Sequence, residues 1–364
     1  MRARIIGTGS YAPIHTMRND DLAQLVETND EWIQDHTGIK ERRISDQGTV
    51  QMASEAARKA LEDSNITVAG LDMILVATVT PDYSFPNTAS LVQAQLGAKD
   101  IPCIDLSAAC SGFLFAMNTA NAYICSGMYK TILVIGAETL SKIIDWTDRS
   151  TCILFGDGAG AVVMQAAETG IMAMEMGSDG SKGMVLYCEG RPLKNPITDQ
   201  EVLTGYQYGH AAKKEEILTG YQYGHTARKE ETLTGYQYGH AAKKEETDGE
   251  KLHMDGSDVF KFAVRRIPDT IHKTLELAGM TVDQVDHFVL HQANRRILEA
   301  AARRLDLPIE KFPMNIDRYG NIAAASIPIL LDELNHSGKL ERGQYVLTSG
   351  FGAGLSWGSA LIQW

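Results

Sequence analysis

The stretch Asp72-Met-Ile-Leu-Val-Ala-Thr-Val-Thr80 reads as an acid, an apolar run and a polar end, and the same pattern returns as Asp286-His-Phe-Val-Leu-His-Gln-Ala-Asn294. Each apolar run is short, as expected of a strand covered on both faces in a layered α/β protein. Working outward, Ala89-Ser-Leu-Val-Gln-Ala-Gln-Leu-Gly97 has a helical counterpart from Ile297 to Leu305. A helix ending at Ser126-Gly127 leads into Lys130-Thr-Ile-Leu-Val-Ile-Gly-Ala-Glu138. Its counterpart ends at Ser337-Gly338 and leads into Gln344-Tyr-Val-Leu-Thr-Ser-Gly-Phe-Gly352. Glycine just past a helix with an apolar strand beyond it fits C-terminal capping and a return to the sheet. The spacing is nearly constant: 286 − 72 is 214, 338 − 127 is 211 and 346 − 134 is 212. The expectation is two related α/β halves, 1–170 and 171–364, packed around a pseudo-twofold axis.

Three polar residues stand at strand-to-helix junctions of this pattern. Cys110, in Asp105-Leu-Ser-Ala-Ala-Cys110-Ser-Gly-Phe-Leu-Phe115, precedes Phe113, Met117, Ala120 and Ile124 at helix spacing. A helix N-terminus favours an anion, so a thiolate is expected to form more readily there. Taken alone, the pattern equally fits a small packed cysteine. His291 closes its apolar run at the carboxyl end of a strand, where ligands gather in layered α/β folds; a histidine tied down in the core is the alternative. Asn321 opens a helix in Tyr319-Gly-Asn321-Ile-Ala-Ala-Ala-Ser-Ile-Pro328 and also suits a plain N-cap. Together the three suit thioester chemistry, with a sulfur nucleophile and neutral N–H donors for an oxyanion.

Composition narrows the class. A formal charge of −12 gives no support to a nucleic-acid role. Hydrophobic residues make up 44% of the 364 positions, ample for a large core. Neither an N-terminal hydrophobic signal nor an apolar run long enough to cross a bilayer is evident, so a cytoplasmic location and no membrane partner are expected. The five cysteines, 103, 110, 125, 152 and 188, form no close-spaced metal pattern and read as reduced thiols, with no metal site expected. Arg295, Arg296, Arg303 and Arg304 cluster on one expected helix, with Lys261, Arg265 and Arg266 on another. Such groups can steer an acidic partner, although solvated helix faces give the same pattern.

One segment stands apart. Leu203-Thr-Gly-Tyr-Gln-Tyr-Gly-His210-Ala-Ala-Lys-Lys-Glu-Glu216 recurs from Leu218 and from Leu233, with small changes in the middle copy. This tandem 15-residue repeat occupies about 203–247, and the flanks read on normally without it. Stacked units and a surface excursion both fit the sequence. His210, His225 and His240 lack the close pair or carboxylate of a closed metal site. An insertion here is expected to alter access to the site or contacts between subunits.

The ordered motifs resemble the β-ketoacyl-acyl-carrier-protein synthase III family of initiating condensing enzymes. They are Asn29-Asp-Glu-Trp-Ile33, Thr37-Gly-Ile-Lys-Glu-Arg-Arg-Ile44, Ala108-Ala-Cys-Ser-Gly-Phe113, Phe155-Gly-Asp-Gly-Ala-Gly-Ala161, His291-Gln-Ala-Asn294, Gly320-Asn-Ile-Ala-Ala-Ala-Ser-Ile-Pro328 and Gly350-Phe-Gly-Ala-Gly-Leu-Ser-Trp-Gly358. The resemblance implies a thiolase-like fold in α/β/α/β/α layers and a homodimer. It implies that Cys110 takes an acyl group from acyl-CoA, which serves as substrate with no permanently bound cofactor. His291 and Asn321 would then stabilise the enolate of malonyl-acyl carrier protein as it loses carbon dioxide.

Further roles follow from the same resemblance. The backbone N–H groups of Cys110 and Ala353 form the oxyanion hole. Trp32 and Arg149 flank the CoA adenine, with Thr28 and Asn294 nearby, and Phe351 packs beside the reaction centre. Phe85 lines the partner subunit's acyl pocket, and Lys261, Arg295 and Arg296 dock the carrier protein. His36 replaces an arginine common in the family before Thr37-Gly-Ile39, which bears on CoA phosphate binding. Two other readings fit the sequence: a related cysteine acyltransferase of a specialised pathway, and a repeat-display or interaction protein on this scaffold.

Overall fold

Strand β4 (Met73–Ala77) is buried along its whole length. Met73, Leu75 and Ala77 face one apolar cluster while Ile74 and Val76 face another, so a single short run serves two layers. The computed structural model describes residues 1–190 and 251–364. The 203–247 repeats, with His210, His225 and His240, lie outside the described residues.

The first sheet runs β1 (Arg2–Tyr11), β7 (Asp157–Ala167), β6 (Thr131–Thr139), β4 and β5 (Cys103–Leu106). Within it β4 is parallel to both β5 and β6, and β7 is antiparallel to β6 and β1. The second sheet runs β11 (His287–Leu290), β12 (Tyr345–Gly352), β13 (Ser356–Gln363) and β8 (Ile171–Ser178). Here β11 and β12 are parallel and the remaining pairs antiparallel.

Helices α3 (Thr49–Ser64) and α4 (Thr88–Leu96) cover the outer face of the first sheet. Helices α5 (Gly112–Cys125) and α10 (Ser326–His336) lie between the sheets, sharing a cluster with Leu75 and Val134 of one sheet and Val289 and Val346 of the other. Helices α7 (Gly256–Ala278) and α8 (Arg295–Arg304) close the far side against Phe288, Leu347 and Leu361. The result is the expected α/β/α/β/α order. Short elements complete it: β2 (His15–Arg18), β3 (Glu41–Ile44), α1 (Asn19–Leu22), α2 (Asp30–Thr37), α6 (Arg149–Cys152) and α9 (Ile316–Tyr319). Strands β9 (Leu186–Cys188) and β10 (Leu252–Met254) pair antiparallel with Cys188 opposite Leu252.

The duplication persists in backbone detail. Asp72 Oδ2 accepts from the Thr131 N–H at 2.9 Å, and Asp286 Oδ2 accepts from the Tyr345 N–H at 2.7 Å. Helices α3 and α7 end on left-handed residues, Asn65 at φ 55° and Gly279 at φ 67°. A 3-10 turn precedes each central helix, Ala109–Ser111 before α5 and Ala323–Ala325 before α10. Both turns begin on a left-handed alanine, Ala109 at φ 45° and Ala323 at φ 38°. Each correspondence has one offset, since 345 − 131, 279 − 65 and 323 − 109 are all 214. In this register Cys110 corresponds to Ala324, and Asn321 corresponds to Ser107 (324 − 110 and 321 − 107 are both 214). Two related halves suggest that Cys110 and Asn321 are equivalent at their helix starts; the register corrects this, since the two occupy different positions of matching turns.

Candidate active site

The turn before α5 presents Cys110 at the boundary between the sheets. Phe113, Met117, Ala120 and Ile124 are fully buried behind it, as their spacing predicted, and fix the helix direction. Ala109 holds a left-handed conformation that L-residues adopt at a cost, and it turns Cys110 away from the strand axis. The cysteine is 7% exposed. Burial, followed by the charge of nearby Glu138, pushes its thiol up to about 12. The expected gain from the helix N-terminus is thus outweighed, and the resting side chain is a thiol. Depth of burial decides this, and the sequence does not carry it.

The second sheet delivers the facing wall. A Cβ placed on Gly352 would lie 2.7 Å from the Cys110 nitrogen, so the end of β12 runs directly against the cysteine's backbone. The neighbouring Ala353 is tied to the same turn. Its carbonyl accepts from Ser356 Oγ at 2.9 Å, and the Ser356 and Ser111 hydroxyls share a hydrogen bond at 2.8 Å. Two backbone segments that could each offer an N–H to one oxyanion are therefore held together.

His291 follows β11, and its N–H donates to the Ser349 carbonyl at 2.8 Å. Gly350 of β12 lies between His291 and Leu114 of α5. The imidazole is 1% exposed, and neither ring nitrogen has a partner among the described residues. Burial holds its pKa down to about 3, so the ring is neutral near physiological pH. A buried polar group without a partner costs stability, which is typical of a group kept for a ligand. The Phe351 ring stands edge-on to it, 5.7 Å between centroids.

Asn321 is placed by a crossing of two chains. Its N–H donates to the Leu154 carbonyl at 2.9 Å, and its own carbonyl accepts from the Gly156 N–H at 3.1 Å. Gly320 reaches this crossing at φ 66°, and a Cβ there would lie 2.8 Å from the Leu154 carbonyl oxygen, a conformation and a space that favour glycine. The Asn321 Oδ1 accepts from the Ala323 N–H at 2.9 Å, and Nδ2, the donor end of the amide, has no partner among the described residues. The turn after Asn321 packs on the turn that carries Cys110. Cys110, Phe351 and Ala353 thus share one apolar cluster, His291 stands against Phe351, and the turn after Asn321 meets the Cys110 turn.

A second group forms at the start of α2. Trp32 lies with the Arg149 guanidinium 5.0 Å from its ring centre, and Arg149 Nη1 donates to the Glu27 carbonyl at 3.0 Å. Stacked on Trp32 is His36, 4.2 Å between centroids. Thr28 contributes a buried hydroxyl with no partner among the described residues. Asn294 is engaged at both ends of its amide: Oδ1 caps α8 at the Arg296 N–H, and Nδ2 donates to the His36 carbonyl at 3.0 Å. Phe85 is 87% exposed and stays outside both groups within this chain.

Residues 104–180 and 275–364 match the family models described as 3-oxoacyl-[acyl-carrier-protein (ACP)] synthase III and its C-terminal region. The β-ketoacyl-[acyl-carrier-protein] synthase III of Clostridium acetobutylicum is 42% identical over 362 residues, covering 99% of this chain and 98% of that protein. The chain belongs to the 3-oxoacyl-[acyl-carrier-protein] synthase III family. Among solved structures, the synthase III of Aquifex aeolicus VF5 aligns with a TM-score of 0.82 at 39% identity over 100% of both chains. The priming β-ketosynthase of the R1128 polyketide biosynthetic pathway aligns with a TM-score of 0.81 at 31% identity, over 99% of this chain and 96% of that one. The five-layer fold is the thiolase-like one.

In this synthase III family member the basic residues separate into two sets. Lys261, Arg265 and Arg304 line an open cavity of about 570 Å³ with Phe260, Val264 and Asp269. Arg295 pairs with Glu299 at 3.0 Å, and Arg296 Nε donates to the Asp35 carbonyl at 3.0 Å. Arg296 in the first turn of α8 thus bonds to α2, Arg295 pairs within its own helix, and Arg304 in the last turn joins Lys261. Sequence reasoning also passed over Glu138, which ends β6 fully buried. Its carboxylate accepts from the Val79 N–H and the Thr78 and Thr80 hydroxyls, and burial pushes its pKa up to about 7. The signal was there: Glu138 closes an apolar strand just as His291 follows one.

Proposed function

We propose that Cys110, His291 and Asn321 carry out the reaction for which this family is named. The enzyme is a condensing acyltransferase that joins an acyl-CoA primer to malonyl-acyl carrier protein. In the first step the Cys110 sulfur attacks the primer carbonyl, and the Cys110 and Ala353 N–H groups hold the oxyanion. The C–S bond to CoA breaks, and the proton lost by the thiol ends on the departing CoA sulfur. In the second step the bond to the malonyl carboxylate breaks and carbon dioxide leaves. The electron pair passes to the thioester oxygen, where neutral His291 and Asn321 Nδ2 donate. The enolate carbon then attacks the acyl-Cys110 carbonyl, and the cysteine leaves and regains a proton. The observation that carries this reading is the buried, neutral, unpartnered imidazole beside the Cys110 turn.

Trp32 and Arg149 receive the acyl-CoA adenine, as planar aromatic and guanidinium groups allow, and the guanidinium, 5.0 Å from the indole centre, moves aside to admit the base. Lys261, Arg295 and Arg296, joined by Arg265 and Arg304, receive the carrier protein. Two copies of the chain form a dimer in which the exposed Phe85 enters the partner's pocket. Open edge strand β5 and the 38% exposed Ile104 support such pairing. The likeness to a priming β-ketosynthase of a polyketide pathway favours a second reading, a primer-loading enzyme of a specialised pathway.

Intact mass after exposure to several short acyl-CoAs tests the first step. One acyl group is expected on the native chain and none on Cys110→Ala. An adduct that persists in the mutant would overturn the assignment. Carbon dioxide release driven by the carrier protein of fatty-acid synthesis supports the first reading; release only with the carrier protein of a specialised pathway supports the second.

A further inference from the structure

We propose that Glu333 is a positioning residue which, through Asn315 and Gln292, holds the His291 segment and the Asn321 turn in one fixed arrangement. The inference rests on the assignment of His291 and Asn321 above. Glu333 projects from α10, and its side chain is 25% exposed. Four donors converge on its two oxygens. Arg318 Nη1 and Tyr319 Oη donate to Oε1, each at 2.8 Å. Arg318 Nη2 donates to Oε2 at 2.9 Å, and Asn315 Nδ2 donates to Oε2 at 3.0 Å. All three donor residues lie on or next to α9, the short helix that runs into Gly320 and Asn321. A fork-to-fork Arg–carboxylate pair fixes orientation as well as distance. Burial, then the charge and hydrogen bond of Glu333, push the Tyr319 phenol up to about 12, so it stays a donor.

The other end of the chain reaches His291. The Asn315 N–H donates to Gln292 Oε1 at 3.2 Å, and Gln292 Nε2 donates back to the Leu290 carbonyl at 2.9 Å. Gln292 and Asn315 are 1% and 2% exposed, so no solvent competes for these bonds. The residues flanking His291 are thus linked to the residues preceding Asn321 through one asparagine. Neither Cys110 nor Ala353 lies on that chain. Misplacing a catalytic group by about 1 Å can cost on the order of a hundredfold in rate. A loosened clamp should therefore slow the step that needs both side chains and spare the step that needs only the cysteine.

Glu333→Gln and Gln292→Leu, singly and together, test this. Single-turnover acylation is followed by intact mass, and carbon dioxide release by the pre-acylated enzyme. Acylation is expected to stay within about twofold of native while release falls about tenfold or more. The double variant should lose little more than the worse single one, since both act through Asn315. Glu333→Asp, which keeps the charge, should restore part of the release rate. Equal loss of both steps, unchanged release or full additivity would overturn the clamp. Should Glu333→Gln fail to fold, Gln292→Leu reads the same link. His291→Ala serves as the control. Native-rate release from it would overturn the assignment of His291 and the clamp with it. Its loss, beside unchanged release in the other variants, would overturn the clamp alone.

Discussion

Gly352 leaves no room for a side chain above Cys110: a Cβ there would come within 2.7 Å of the cysteine's nitrogen and 3.1 Å of the Ser111 nitrogen. The obstacle is backbone, which cannot swing aside as a side chain would. The amide proposed to bind the oxyanion therefore has its position set by a residue on the other sheet.

Gly352→Ala should slow acylation of Cys110 about a hundredfold, the scale of losing one oxyanion donor. Its melting temperature should fall by a few degrees. Single-turnover mass spectrometry checks the rate. Near-native acylation would mean that the turn shifts freely and that its position is not critical.

The thiol should alkylate slowly at neutral pH and faster as pH rises toward 10, without a plateau, because its pKa is pushed up to about 12. Removing a negative charge nearby lowers a thiol pKa. Glu138→Gln should therefore alkylate faster than native at pH 8. Since the Glu138 carboxyl is itself pushed up to about 7, it is mostly neutral below pH 6, and the two rates should converge there. Iodoacetamide kinetics across pH 5–10 decide it; parallel profiles at all pH values would remove Glu138 as the cause.

His291 makes stability fall in acid. Its pKa is held at about 3 in the folded chain against 6.5 ordinarily, so below 6.5 the unfolded chain binds the extra proton. This contribution is whole above pH 6.5 and is lost as pH falls toward 3, at up to about 1.4 kcal/mol per pH unit. His291→Leu should flatten that limb in urea melts at pH 4–7. An unchanged slope would show that the imidazole is not held neutral.

Trp32→Ala should raise the KM for acyl-CoA roughly five- to a hundredfold, as loss of one base stack predicts. Carbon dioxide release by enzyme already acylated should stay near native. Equal effects on both steps would point to a folding role for the indole, which packs against the main apolar cluster.

The fold was legible because its signals are local. Both faces of β4 are apolar, Gly127 and Gly338 close helices, and one offset of about 214 recurs along the chain. Cys110, His291 and Asn321 were legible for the same reason, each standing at a junction between a strand and a helix. What stayed hidden depends on partners distant in sequence. Glu138 is tied to Thr78 and Thr80, and Gln292 to Asn315, across sheet and loop boundaries. The protonation of Cys110 was not legible because a helix N-terminus can be read from sequence, whereas the depth of burial that raises the thiol pKa, and the Glu138 charge that adds to it, cannot. The sequence shows Arg295 and Arg296 as members of a basic cluster; the bond of Arg296 to the α2 backbone comes only with the fold.

Ala109 and Ala323 carry the same left-handed backbone, yet only one of the two turns presents a sulfur. The second keeps the unfavourable conformation for another purpose: its Ala323 N–H donates to the Asn321 Oδ1 and so fixes which end of the amide is left to donate. The same bend thus stands in both halves with separate contents, one carrying the proposed nucleophile and the other fixing the amide of the proposed donor. On the proposed mechanism, relaxing either bend alone would disable one of the two steps, so each half has its own reason to keep a costly shape.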